Sequence, residues 1–151
     1  MNSLEQIETI KSLQKPCKVH LQVDTGMKRL GCSEDATIKL AQKIALIPYI
    51  TFEGIFTHLT AADDEEEDPF TWKQITIFRE IIQSLKKIRI LPQYCHIANS
   101  SAAMRFSLPE MNMATVVNAD SHPVNIHNTL ESKNAYVVRH QQGTINPLTK
   151  Q

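Results

Sequence analysis

Three short apolar segments of the sequence are each followed by side chains that are suited to chemistry. The first segment leads to Arg29, the second ends at His58, and the third contains His96 and continues into Asn99 and Ser100. The ligand-binding groups of β/α barrels lie at the carboxyl ends of the strands, because those ends form one open face. Three successive polar ends therefore predict one ligand-binding face.

Each group alone also has an ordinary structural explanation. A single histidine at the end of a strand, such as His58, most often makes only a hydrogen bond. Asn99 and Ser100 are typical of a helix N-cap, and a cap with free N–H groups and hydroxyls is also what binds a phosphate. The two interpretations of this segment are compatible, and both stay open here. The acidic run over residues 63–68 favours a solvated helix start.

The elements that would position these groups alternate between strand and helix. Apolar spacing predicts an N-terminal helix that ends at Leu13, strands over residues 18–24, 49–57 and 93–98, and two helices between these strands. The first of these helices is capped by Ser33. The second has one apolar face: Phe70, Gln74, Ile77, Phe78, Ile81 and Leu85. Such an order is typical of parallel βαβ units.

A parallel sheet needs cover on both faces, and three strands cannot provide a closed core. The segment is therefore predicted to be part of a larger β/α barrel or sheet. After Pro109 the periodicity weakens, and residues 135–138 are predicted to form one more strand.

The composition predicts a soluble protein in the cytoplasm. Sixteen basic and sixteen acidic residues cancel, so no nucleic-acid or membrane partner is expected. No segment has the roughly 20 apolar residues of a membrane helix. The six histidines and three cysteines lack the spacing of a metal site, and three cysteines predict reduced thiols.

Three motifs resemble one known family. VHLQVDTGMKRLG (residues 19–31), EGIFTHLTAADDEEEDPFTWKQITIF (53–78) and CHIANSSAAMRF (95–106) are similar, in this order, to alanine racemase of the pyridoxal-phosphate-dependent barrel family. The resemblance implies an α/β fold that is an incomplete (β/α)8, TIM-type barrel over residues 1–113. Residues 114–151 would be a diverged tail that faintly resembles the start of the family's C-terminal β domain. The resemblance further implies interconversion of L-alanine and D-alanine for cell-wall peptidoglycan, pyridoxal phosphate as cofactor, and a homodimer.

The resemblance also implies a role for each of the five groups. Arg29 would contact the phenolic oxygen of the cofactor and the carboxylate of the substrate, and His58 would lie against the cofactor ring. His96 would be a supporting histidine beneath that ring. Ser100 would donate to the cofactor phosphate, with Asn99 beside it.

Several positions depart from the family pattern. Gln22 replaces a lysine that steadies the arginine, Lys28 replaces a glycine, and Thr115 stands where the family has an arginine for the pyridine nitrogen. The lysine that binds the cofactor covalently and the catalytic tyrosine are not found in this sequence. We therefore expect this chain to be inactive by itself. The alternative hypotheses are a catalytically inactive, racemase-like fragment with a structural or interaction role and, less favoured, a related carrier of pyridoxal phosphate.

Overall fold

A computed structural model describes residues 1–108, 111, 113–116, 136–139 and 145–147. The helices are α1 (Leu4–Leu13), α2 (Glu34–Ala45), α3 (Asp68–Lys87) and α4 (Ser100–Arg105). The strands are β1 (Cys17–Gln22), β2 (Ile50–Phe56), β3 (Tyr94–Ala98), β4 (Met113–Val116), β5 (Tyr136–Arg139) and β6 (Ile145–Pro147).

The six strands form one sheet in the order β1-β2-β3-β4-β5-β6. Neighbours from β1 to β5 are parallel, and β6 is antiparallel to β5. The parallel βαβ units predicted for the first three strands are therefore confirmed. The carboxyl ends of β1, β2 and β3 lie along the same edge, as the predicted site requires.

Local chemistry explains where the helices begin. Ser33 caps α2 by accepting a hydrogen bond from the N–H of Ala36, as predicted. Pro69 lies in the first turn of α3, where its missing N–H has no cost. The predicted solvated helix start is also found, because residues 63–67 are exposed and the helix begins at Asp68.

Some strand boundaries differ from the prediction. The first strand ends at Gln22 instead of residue 24, because the chain turns there and Val23 forms an isolated bridge with Cys32. The strands β4 and β6 were not predicted, since short segments without clear alternation give no periodic signal. The predicted strand over residues 135–138 corresponds to β5. Residues 117–135, 140–144 and 148–151 lie outside the described residues, so the predicted tail domain stays a prediction.

The helices cover one face of the sheet and build the core there. Along β1 the burial alternates, so Val19 and Leu21 are buried while Lys18, His20 and Gln22 lie on the opposite face. The buried face of α3 is formed by Thr71, Gln74, Ile75, Phe78, Ile81 and Leu85. Each large apolar side chain buried in this layer contributes about 1.5–3 kcal/mol to stability. Of the predicted face of α3, Phe70 and Ile77 are only partly buried. No helix in the described part of the chain is long and apolar enough to span a membrane.

Candidate functional site

The loop after β1 holds Arg29 at the edge of the sheet. One carboxylate oxygen of Asp24 accepts hydrogen bonds from the N–H groups of Gly26 and Lys28, at 2.9 and 3.0 Å. Gly31 has a φ of 124°, and a Cβ atom there would lie 2.5 Å from the backbone nitrogen of Asp24. The loop is therefore a tight excursion that only glycine can close at this point, and it leaves the Arg29 side chain exposed.

Lys28 has an unusual backbone conformation within this loop. Its φ is 56°, in the left-handed region that glycine adopts freely and other residues adopt at a cost. The family motif has glycine at this position. The substitution therefore places both a strained backbone and a second cation next to Arg29.

A buried polar network lies beneath the loop. The Thr57 hydroxyl donates to the Val23 carbonyl at 2.8 Å, and its oxygen lies 2.9 Å from the Thr25 hydroxyl. Because Thr57 uses its proton on Val23, Thr25 donates to Thr57. The side-chain amide of Gln74 in turn donates to the Thr25 oxygen at 3.2 Å. The three side chains, which we call the Gln74 network, are 0–5% exposed.

Gln74 also fixes the loop after β2, which begins with the predicted site residue His58. Its amide nitrogen donates to the His58 carbonyl at 3.3 Å, and its oxygen accepts from the Thr60 N–H at 3.0 Å. A single side chain from α3 therefore joins the loops after β1 and β2. The sequence predicted Gln74 only as part of an apolar face. The signal for its role was a glutamine among apolar residues, since a buried amide needs partners.

Arg29 and His58 belong to the loops after β1 and β2, at the same edge of the sheet, and lie near enough for the charge of Arg29 to act on His58. We call these two residues the Arg29–His58 pair. The His58 side chain is half-buried, and its pKa is lowered mainly by burial and further by the positive charge of Arg29. His58 is therefore a neutral imidazole at neutral pH. A guanidinium beside a neutral ring suits the recognition of an oxyanion on a flat ligand.

His96 lies on the face of the sheet opposite to the helices. It is 7% exposed and stacks on Phe56, with ring centroids 4.8 Å apart and an interplanar angle of 12°. Burial lowers the pKa of His96 to about 3, and His20 contributes in the same direction. His96 is thus a neutral histidine held by an aromatic neighbour, and it is not part of the Arg29–His58 pair.

Asn99 is the predicted N-cap. Its side-chain oxygen accepts from the N–H of Ala102 at 2.9 Å, and its amide nitrogen donates to the Leu59 carbonyl at 3.3 Å. Asn99 therefore both caps α4 and holds the loop after β2. Ser100 is the first residue of α4. The proposed contacts of Asn99 and Ser100 with a cofactor stay predictions.

Arg105 is a positioning residue that the sequence did not single out. It donates to the Ala62 carbonyl at 2.7 Å and to both carboxylate oxygens of Asp68 at 2.9 and 3.1 Å. Its guanidinium also lies 5.2 Å from the centre of the Phe106 ring. These contacts attach α4 to the loop after β2 and to the start of α3. The available signal was a basic residue ending a short helix, opposite an acidic run.

Among the described residues, no group of three or more histidine, cysteine, aspartate or glutamate side chains is arranged to bind a metal ion. The arrangement at the strand ends instead offers the exposed cations of Arg29 and Lys28, the neutral imidazole of His58 and a helix cap, with the neutral His96 on the adjoining face of the sheet. Such a set suits an anionic organic ligand.

Comparison with known proteins identifies the family. The family model described as "Alanine racemase, N-terminal domain" matches residues 1–116. Alanine racemase of Treponema denticola is 38% identical over 105 residues, which are 68% of this chain and 28% of that protein. Alanine racemase 1 of Oceanobacillus iheyensis is 38% identical over 119 residues, or 76% of this chain and 31% of that protein.

Solved structures agree with this assignment. Alanine racemase of Clostridium difficile 630 superposes with a TM-score of 0.68 at 27% identity, covering 77% of this chain and 33% of that one. The Oenococcus oeni enzyme gives a TM-score of 0.61 at 32% identity, covering 77% and 34%. The chain spans less than a third of the length of these curated relatives. The predicted TIM-type barrel units are confirmed, and the chain belongs to the alanine racemase family through its N-terminal barrel domain.

Proposed function

We propose that this chain forms part of the cofactor and substrate site of an alanine racemase, which interconverts L-alanine and D-alanine with pyridoxal phosphate. The observation that supports this most directly is that the buried amide of Gln74 joins the loops that carry Arg29 and His58. The two functional groups are thereby kept at the same edge of the sheet. The family membership indicates which ligands these two groups would bind, namely the cofactor and the amino-acid substrate.

The residues present fit the cofactor. Pyridoxal phosphate is an anion with a flat aromatic ring, and the site offers an exposed guanidinium beside a half-buried, neutral imidazole. When bound, this cofactor withdraws electrons from the α-carbon of an amino acid, so that the α-proton becomes acidic. His58 would lie against the ring, Ser100 would donate to the phosphate, and Asn99 would hold the segment beside it.

The role of Arg29 is binding and orientation. Its planar fork would engage the carboxylate of alanine and the phenolic oxygen of the cofactor, because a guanidinium binds oxyanions through two parallel N–H groups. Its backbone is fixed from both sides, by the Asp24 turn before it and by Gly31 after it. His96 would support the ring from below as a neutral group. The proposed setting is the cytoplasm, with D-alanine serving peptidoglycan synthesis and a homodimer as the assembly.

A second candidate is a racemase-like module that binds the cofactor without catalysis. Two substitutions inside the site favour it. Gln22 provides no charge where the family has a lysine, and Lys28 adds a cation in a strained, left-handed backbone. Both changes affect the support of Arg29 and leave the His58 side untouched.

A titration of the purified full chain with pyridoxal phosphate separates the candidates. The absorbance of the cofactor is followed during the titration, and D-alanine formation is then assayed against free cofactor. We expect saturable binding that Arg29→Lys weakens about tenfold, the loss of about 1.4 kcal/mol expected at a bidentate site. Arg89→Lys is the matched control, because Arg89 is exposed in the loop between α3 and β3.

The outcomes are distinct. D-alanine formation above the rate of free cofactor supports the racemase. Saturable binding without D-alanine formation supports the second candidate. Equal effects of the two arginine substitutions, or no saturable binding, would refute both.

A further inference from the structure

A second group of titratable side chains lies on the face of the sheet opposite to the helices, away from the Arg29–His58 pair. The imidazole of His20 lies across the neighbouring strand at Gly54, its register partner in β2. A methyl group on Gly54 would overlap the His20 ring. The missing side chain at Gly54 is therefore what allows His20 to lie there.

His20 connects a carboxylate to His96. Its Nδ1 atom lies 3.4 Å from Nε2 of His96, and its Nε2 atom lies 3.4 Å from a carboxylate oxygen of Glu53. The two imidazoles meet edge to face, with centroids 5.6 Å apart and an interplanar angle of 62°. Such an angle lets an N–H of one ring point at the lone pair of the other. Both distances exceed the usual range of about 2.7–3.2 Å for protein hydrogen bonds, so each contact is a weak hydrogen bond.

Charges around this group settle its protonation at neutral pH. A hydrogen bond from Lys18, at 2.7 Å, is the main reason that the pKa of Glu53 is lowered. Burial lowers the pKa of His20, against the opposing pull of Glu53 and with a smaller contribution from the N-terminal ammonium of Met1. His96 is neutral for the reason given above. The group therefore consists of one carboxylate and two neutral imidazoles.

Proton positions follow from this charge state. A carboxylate can only accept, so Nε2 of His20 must hold the proton that it donates to Glu53. A neutral imidazole has one proton, so Nδ1 of His20 is an acceptor. Nε2 of His96 then holds the proton that points at His20. Because a neutral imidazole has one proton, Nδ1 of His96 then carries none.

We propose that Glu53 and His20 are positioning residues that fix His96 in the tautomer with its proton on Nε2 and a lone pair on Nδ1. Glu53 accepts the proton on Nε2 of His20, so that Nδ1 of His20 accepts the proton on Nε2 of His96. Gly54 leaves the space in which the His20 ring lies. Carboxylate–imidazole pairs fix tautomers in this way elsewhere in proteins. In a racemase site, a point that rests on the function proposed above, His96 would then support the cofactor as a hydrogen-bond acceptor without positive charge.

The test is the tautomeric state of His96 in the full chain without cofactor. In the ¹⁵N-labelled protein at neutral pH, correlations between ring nitrogens and ring carbon-bound protons distinguish a protonated nitrogen from a bare one. We expect one tautomer for His96, with Nε2 protonated and Nδ1 bare. His96 with its proton on Nδ1, or a mixture of tautomers, would overturn the proposal.

Three variants show whether the chain Glu53–His20–His96 is the cause. Gly54→Ala displaces the His20 ring, and His20→Phe keeps an aromatic ring but removes its nitrogens. Both should turn the single tautomer of His96 into a mixture and make its Nε2 proton exchange about tenfold faster, as expected for the loss of one modest hydrogen bond. Lys43→Met is the control, because Lys43 is exposed on α2, and it should leave the tautomer and the exchange rate of His96 unchanged.

An unchanged His96 spectrum in both Gly54→Ala and His20→Phe would also overturn the proposal. If one of these variants does not fold, the other decides the question. Because the measurement needs no cofactor, its failure is independent of the titration with pyridoxal phosphate. A chain with the expected tautomer and no cofactor binding would keep the inference and refute the proposed function.

Discussion

Two polar networks occupy different places in this fold and differ in kind. The Gln74 network lies between α3 and the strand ends, is 0–5% exposed, and consists of neutral groups joined at 2.8–3.3 Å. The group of Glu53, His20 and His96 lies on the other face of the sheet, with 3.4 Å contacts and a carboxylate at one end. The side chains of His20 and Glu53 are 27% and 16% exposed.

The difference shows how the same sheet separates two tasks. Neutral groups that satisfy one another need no counter-charge, so they can be fully buried and can fix two loops in one geometry. A carboxylate and two imidazoles are more costly to bury, but they respond to protonation and set a tautomer. We therefore expect the Gln74 network to determine stability and loop position, and the histidine group to determine the response to pH.

Replacement of Gln74 should have the largest effect. Gln74→Leu keeps a side chain of similar size but removes the amide, which leaves the N–H of Thr60 and the carbonyl of His58 without this partner. The loss of the three hydrogen bonds that the buried Gln74 amide makes, each worth about 1 kcal/mol, should reduce the free energy of unfolding by about 3 kcal/mol. Urea unfolding of the full chain, monitored by Trp72 fluorescence, measures this loss.

The control for this prediction is Gln83→Leu, the same change at an exposed position of the same helix. It should alter the free energy of unfolding by less than about 0.5 kcal/mol. If the two substitutions have equal effects, Gln74 does not join the loops in the way its contacts indicate.

Much of the scaffold could be predicted from periodicity and caps. The helix α3 and the strand β2 follow from apolar spacing and from β-branched and aromatic residues, and Ser33 and Asn99 cap helices as their types indicate. These features depend on a few neighbouring residues, so a single sequence contains the necessary information.

The two networks could not be predicted, because they depend on distant pairs. Gln74 contacts Thr25 across 49 residues of sequence, and His20 contacts His96 across 76. The register that places His20 beside Gly54 includes an irregularity after Val19, which shifts the pairing of β1 with β2. Only the alternation in β1 gave a hint, because it places His20 on the face opposite to Val19 and Leu21. The five site residues were singled out by their places at the predicted strand ends, and the family resemblance gave each of them a role. Their contacts with a ligand stay predictions.

Acid should destabilise the fold by protonating the histidine group. The expected change in the free energy of unfolding is smaller than that of Gln74→Leu. The pKa of His96 is about 3 in the folded chain, against 6.5 as its ordinary value. Between pH 6.5 and pH 3 the histidine is protonated in the unfolded chain but not in the folded one. The contribution of His96 to the free energy of unfolding is therefore fully present above about pH 6.5 and decreases as the pH falls towards 3. From about pH 7.5 to about pH 5, we expect His96 alone to account for a loss of about 2 kcal/mol.

Urea unfolding at these two pH values, in the full chain and in His96→Gln, measures the contribution of this residue. The lowered pKa values of His20, His58 and Glu53 act in the same direction, so the variant should keep a weaker dependence on pH. Gln83→Leu should show the full dependence. A pH dependence that His96→Gln leaves unchanged would show that the sensitivity lies elsewhere, and the division between the two networks would be wrong.

The smallest effect is expected above the Gln74 network, at Lys28. Its φ of 56° is a conformation that costs a residue with a side chain about 1–2 kcal/mol. Glycine would remove this cost, but part of the gain in stability is lost because glycine is more flexible in the unfolded chain. Lys28→Gly should therefore raise the free energy of unfolding by about 1 kcal/mol. Lys28→Ala removes the same charge but keeps the Cβ atom, so it should give no comparable gain. Equal gains from both substitutions would assign the cost of Lys28 to its charge beside Arg29, and the backbone of the loop would then be unstrained at this position.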